Sequence, residues 1–309
     1  MNIRATIACG PTCWGVDDAS WPNLPVWERV LDETAEAGLG GLELGPYGYF
    51  PLDLEITGKA LADRGLCIVA GTIFADLVSP ANREALLHQA DEICDFITAL
   101  PQPETHAGQR YSAPYLTVMD FGHPERDVTA GHSDHAPRLD DGQWAGMLGN
   151  IRAIAELARD RYAVRATIHP HAGGYIEFAD DIARLVRDID ADTAGLCLDT
   201  GHLTYAGMDP AAVLERYWDR VDYIHFKDID FDVYGQVMSR PMLFFEACAN
   251  GVMCPIGHGG IDYDAIHDLL SRKGYGGYIT IEQDRDPSDA GATLGDLIAS
   301  RDFLRQSGF

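Results

Sequence analysis

The 309-residue sequence predicts an α/β protein: a single (β/α)8 TIM barrel, residues 1–309, with a long lid-like insertion after the seventh strand. Three observations predict it. Strand-like and helix-like segments alternate from end to end, which is the pattern of a parallel sheet wrapped in helices. Eight of each can be counted, and closure is the simplest architecture for that number. Four successive apolar runs end in His, Asp or Glu, as buried parallel strands do when they deliver chemistry to one face of a barrel.

The first strand is read over Ala5–Cys9, within Met1–Ile7 and its continuation, and a Gly/Pro/Trp loop follows at Gly10–Gly15. A helix runs from Pro25, which suits a first turn, to Ala37, with Gly38 as its stop. Strand two, Gly41–Leu44, enters the aromatic loop Gly45–Pro51, and helix two covers Asp53–Asp63. Strand three is Cys67–Thr72 and helix three Pro80–Leu100. Strand four is Tyr115–Met119, ending in Asp120, and helix four Asp140–Arg161. Strand five is Arg165–His169 and helix five Ile176–Asp188. Strand six ends at Asp199, with helix six over Pro210–Trp218. Strand seven is Val221–Phe226, helix seven Tyr263–Lys273, strand eight Tyr278–Glu282, and a last helix fills Ala290–Gln306. An open doubly wound sheet is the competing architecture, but no GxGxxG follows strand one. The longest unassigned stretch, Ile229–Gly260, is expected to act as a lid, with Met242, Phe244 and Phe245 covering a pocket.

Composition limits the partners. A formal net charge of −25 repels phosphate backbones and acidic lipid, so neither nucleic acid nor a membrane is expected as partner. It lends weak support to an uncharged small-molecule substrate. No apolar run is long enough to span a bilayer and the N-terminus lacks a secretory signal, so a cytoplasmic location is expected. Seven cysteines without a CxxC pair are expected to be free thiols rather than disulfides or a zinc site.

The strand ends carry the chemistry. They read Ile168-His169-Pro170-His171, Leu198-Asp199-Thr200-Gly201-His202, Ile224-His225-Phe226-Lys227-Asp228 and Ile281-Glu282-Gln283-Asp284. Imidazole nitrogens mixed with carboxylate oxygens suit one divalent Mn, Co, Zn, Fe or Ni rather than calcium. A lone histidine of this kind is more often a hydrogen-bonded core residue; four donors on consecutive strands favour a metal.

These motifs, with Leu42-Glu43-Leu44-Gly45 and Gly257-His258-Gly259-Gly260-Ile261-Asp262, resemble the xylose-isomerase-like TIM-barrel superfamily of sugar isomerases, epimerases and dehydratases. Within it, the likeness is strongest to inosose (2-keto-myo-inositol) dehydratase-like proteins. The resemblance implies one divalent metal, Mn or Co favoured, on Asp199, His225 and Glu282. In the family's isomerases the strand-five ligand is a Glu that also serves as acid/base; here His169 stands there, with His171 as its rival. It further implies a sugar or cyclitol substrate attacked by proton abstraction α to a carbonyl, and leaves a homo-oligomer open. Ketose isomerisation or epimerisation is the alternative. An endonuclease-IV-like phosphodiesterase is disfavoured by the charge, and a non-catalytic sugar-binding barrel is the remaining reading.

The candidate bases are Glu282, His171 and Glu43, the last also placed to orient a histidine. His202 is a candidate acid or hydroxyl-binding group. Lys227 is a candidate oxyanion stabiliser, a salt bridge to Asp228 being its bland role. Trp14, Tyr47, His258 and Arg285 are candidates to contact substrate, with plain packing the competing role for Trp14. His106, His123, His132 and His135 lie in irregular segments and are expected to be solvated.

Overall fold

The structure, a computed structural model, describes residue 3 and residues 5–309; Met1, Asn2 and Arg4 of the expected N-terminal strand lie outside the described residues. Eight parallel strands close into a barrel. They are β1 (Thr6–Cys9), β2 (Leu42–Glu43), β3 (Ile68–Ala75), β4 (Tyr115–Asp120), β5 (Arg165–Ile168), β6 (Gly195–Asp199), β7 (Val221–Phe226) and β8 (Tyr278–Ile281). Each pairs with its neighbours in sequence, and β1 pairs with β8, Cys9 opposite Ile281. Nearly every residue of β4 to β8 is buried, because helices cover the outer face and side chains fill the interior.

The helices lie where the periodicity places them, with ends set by capping chemistry. Asp53 accepts from the N–H groups of Glu55 and Ile56 and starts Leu54–Ala62. Asp140 and Gln143 form a reciprocal capping box at the start of Asp141–Tyr162. Tyr263–Lys273 begins at Asp262 and stops at Gly274, whose φ of 72° suits a residue without Cβ. The helix expected from Pro25 begins at Trp27, since Val26 is extended and supplies no side-chain cap. A short helix not expected from the sequence, Thr200–Tyr205, follows β6 directly, its first turn capped by Asp199.

The 229–260 stretch is a folded unit. Asp228–Ile229 pairs antiparallel with Met253–Cys254, and two short helices, Phe231–Val237 and Phe244–Ala249, lie between. They close over a small apolar cluster that includes Ala172 from the loop after β5 and Tyr205 from the short helix after β6. Met242 and Phe244 are buried in that cluster, and of the expected trio Phe245 lines the cavity at the barrel mouth. Asp228 fastens the far end by accepting from the N–H groups of Ile229, Gly257, Gly259 and Ile261. All seven cysteines are free. Among the described residues no helix is long and apolar enough to cross a membrane.

Candidate metal centre and active site

Register brings the donors together. Asp199 of β6 lies opposite His225 of β7, and Thr280 of β8 also pairs with His225, which puts Glu282 one step beyond the strand end. His169 follows β5 on the other flank. The donor atoms of His169, Asp199, His225 and Glu282 all lie within 4.8 Å of one another, and all four residues are buried. His225 Nδ1 is 3.0 Å from Glu282 Oε2 and 3.9 Å from Asp199 Oδ2, while His169 Nε2 is 3.8 Å from Asp199 Oδ2.

The fit to a divalent metal rests on what these atoms lack. Both ring nitrogens of His169, Asp199 Oδ2 and His225 Nδ1 are buried without a hydrogen-bond partner. Three of these, one His169 nitrogen, Asp199 Oδ2 and His225 Nδ1, can face one point, and leaving them unpaired would be costly unless a further group satisfied them. The mixed N/O set suits a transition metal. Burial holds the His169 imidazole below its usual range, against the pull of Asp199, so its lone pair is free to ligate.

The surroundings orient the donors. Glu43 Oε1 accepts from His225 Nε2 and from Tyr223 Oη, each at 2.7 Å, which leaves the lone pair of His225 Nδ1 free to face the cluster. Gly10 leaves room for Glu282: a Cβ there would sit 2.9 Å from Glu282 Oε1. Gly201 does the same for Lys227, whose own Cβ would be 2.5 Å away.

Lys227 forms no bridge with Asp228. Its buried Nζ lies 2.6 Å from Glu282 Oε2 and 3.3 Å from both Asp199 Oδ2 and Asp284 Oδ2. Burial opposes the ammonium, but Asp199, Asp284 and Glu282 together raise it well above the usual lysine range. Burial opposes the Glu282 carboxylate too, and His225 and Lys227 hold it well below the usual range. Burial pushes Asp284 up to about 6, with Glu282 and Asp199 adding to it and Lys227 resisting.

A cavity of about 690 Å³ opens at this end of the barrel. Its lining includes Glu43, Tyr47, His171, Lys227 and Glu282 from the expected set. It also includes Asp17, Asp284, Phe74, Phe121 and Phe245. Asp17 and Asp284 were missed as site residues. Asp284 had a visible signal, a carboxylate two residues past Glu282; Asp17 had none in its exposed-looking loop. His171 Nδ1 lies 2.8 Å from the carbonyl of Ala172; a carbonyl only accepts, so Nδ1 carries the proton and Nε2 keeps its lone pair.

Four candidates lie elsewhere. Trp14 is fully buried and donates to Glu33 Oε2 at 2.6 Å, so it packs behind the mouth. Arg285 turns to Asp296, 2.7 Å away, and leaves no guanidinium in the cavity. His258 sits exposed on the loop that Asp228 fastens, outside the cavity. His202 does not line the cavity, and its Nε2 lies 3.1 Å from the Lys227 ammonium. Asp199 Oδ1 caps its N–H, and its ring is sandwiched between His171 and Phe244, with Nδ1 accepting from the N–H of Ala172. His123, expected to be solvated, is buried and bonded to Asp120.

A family model described as xylose isomerase-like TIM barrel matches residues 31–307. The chain belongs to this family. An inosose dehydratase of Geobacillus thermodenitrificans is 27% identical over 309 residues, covering 98% of this chain and 97% of that protein. An inosose dehydratase of Lacticaseibacillus casei is 27% identical over 296 residues, 94% of this chain and 92% of its own. Two solved structures share the fold of this xylose isomerase-like barrel at a TM-score of 0.70. They are D-psicose 3-epimerase with D-tagatose from Clostridium cellulolyticum, 15% identical over 98% of this chain and 99% of its own, and a zinc-bound IolI protein, 11% identical over 98% of each chain.

Proposed function

We propose that the chain is a divalent-metal-dependent dehydratase of a keto-cyclitol, of the inosose dehydratase type. It removes a proton α to a carbonyl and expels a β-hydroxyl as water. The observation that carries this reading is the four-residue cluster His169, Asp199, His225 and Glu282, with its unpartnered buried donors and with Glu282 shared between cluster and cavity. The relatives named inosose dehydratase, alike over nearly the whole of both chains, support the substrate class.

Those four residues would hold a divalent cation, whose Lewis acidity would lower the pKa of a C–H beside a substrate carbonyl. His171 takes that proton at Nε2, the nitrogen left free by the Ala172 carbonyl, and returns it to the departing β-hydroxyl, which leaves as water as the C–O bond breaks. Glu282, whose Oε2 already meets Lys227 and His225, and Glu43, which holds His225 and Tyr223, position groups rather than act as bases. Lys227, held among three carboxylates, stabilises negative charge as it develops on oxygen. His202 backs the His171 ring, centroids 4.1 Å apart, and positions it.

Epimerisation or isomerisation of a ketose is the second reading. The presence of Asp284 on the cavity beside Glu282 favours it, since it offers a second carboxylate for returning a proton. His169 in place of a strand-five Glu counts against it, because the paired-carboxylate arrangement is then incomplete.

Mass spectrometry after incubating the Mn- or Co-loaded protein with 2-keto-myo-inositol separates the readings. We expect a product lighter by one water, with turnover reduced at least about 100-fold in His171→Asn. Incorporation of one solvent deuterium into D-fructose or D-tagatose in D2O, without water loss, would select the second reading. No conversion of either class would defeat both.

A further inference from the structure

The insertion after β7 gives the mouth one side chain that the proposed chemistry does not use. Phe244 is its anchor: its backbone N–H donates to Asp127 Oδ1 at 3.0 Å, and its buried ring packs 5.1 Å from both His171 and His202. That anchor fixes Phe245, whose ring stands edge-on 5.6 Å from Phe121 and 6.4 Å from Phe74. Phe74 and Phe121 are stacked at 4.6 Å and flank His171 at 5.0 and 5.6 Å. All three phenylalanines line the cavity, and each keeps part of its surface open. Phe74 lies on β3 and Phe121 follows β4; the strand order puts both across the barrel from β7 and β8, which bring Lys227, Glu282 and Asp284. The cavity is therefore aromatic on one side and charged on the other.

We propose that this aromatic wall makes the site selective for a ring, with Phe245 the specificity-determining residue. The inference takes the six-carbon polyol scale of its ligand from the proposed function and adds the basis of choice within that class. A cyclic polyol in a chair carries C–H bonds on its faces and hydroxyls around its rim. It can lay one face on Phe245, Phe121 and Phe74 while rim hydroxyls meet Lys227, Asp284 and Asp17. An open-chain polyol of the same carbon and hydroxyl count has no flat apolar face to offer, and its freely rotating backbone would have to be ordered on binding.

The test uses two probes that the proposed reaction cannot consume: scyllo-inositol, whose faces carry only C–H, and D-mannitol. Each is titrated calorimetrically into the full-length Mn-loaded protein. We expect scyllo-inositol to bind wild type about tenfold tighter than D-mannitol. Phe245→Ala should erase most of that ratio while changing D-mannitol affinity by no more than about twofold, and Phe245→Tyr, which keeps the ring, should retain the preference. No preference in wild type, binding of neither probe, or an equal loss on both in Phe245→Ala overturns the proposal. Turnover of 2-keto-myo-inositol is read separately, so a ring preference that survives without turnover defeats the reaction and leaves the wall standing.

Discussion

Two corners of the barrel mouth hold almost the same chemistry. After β5 to β8 stand His169, Asp199, His225 and Glu282; after β3 and β4 stand Asp76, Asp120 and His123, also with ligand-type atoms within 4.8 Å of one another. They differ in what those atoms already do. In the second corner Asp120 accepts from the N–H groups of Leu77 and Tyr175 and from His123 Nε2. Asp76 accepts from the N–H groups of Val78 and Ser79 and from Asn82. The carboxylates there fasten loops. In the first corner both ring nitrogens of His169 and Nδ1 of His225 are buried without a hydrogen bond, and Asp199 Oδ2 meets only the Lys227 ammonium, 3.3 Å away. Residue type marks both corners as candidates; the unsatisfied lone pairs favour only one as the candidate cation site.

Substitution should break this contrast most visibly at Asp199. Asp199→Ala is expected to drop metal content from about one per chain to near zero and to lower turnover on the order of a thousandfold. Asp120→Asn should keep its metal. Mass spectrometry of both proteins, purified without chelator, decides it; equal metal loss in the two would erase the distinction.

Glu43 tests whether orientation matters as much as ligation. Glu43→Gln should weaken metal binding about 10- to 100-fold, measured by competition with a chromogenic chelator, because His225 loses its charged partner. An unchanged affinity would mean that His225 is held without it.

The smallest effect belongs to the satisfied corner. Burial works against the His123 imidazolium, but Asp120, by hydrogen bond and charge, and then Asp76 and Glu125 raise it above its usual range. A raised imidazole stabilises the fold fully below the unfolded-state value of 6.5 and loses that contribution as pH rises through the higher folded value. Wild type should therefore exceed His123→Gln in stability by about 1 kcal/mol near pH 5.5, discounted for partial exposure, with the gap narrowing towards pH 9. Thermal unfolding with metal held constant reads it, and a gap independent of pH would show that the pair is not titrating.

By itself the sequence determined the barrel and the strand-end donors. Apolar runs mark strands covered on both faces, capping residues mark helix starts, and a polar residue ending each run must emerge at one rim. His169, Asp199, His225 and Glu282 were legible for that reason. What each side chain bonds to was decided by the tertiary structure, because hydrophobic periodicity does not say which polar partner, near or distant in the chain, a side chain will meet. Glu43 meets His225 across 182 residues. Trp14 found Glu33 and Arg285 found Asp296 before either could face the cavity. The His202 ring packs against His171, its N–H capped by Asp199, while Asp17 and Asp284 entered the site on loops that carry no periodicity. Periodicity encodes which face is buried; only closure of the barrel brings distant loops close enough to choose partners.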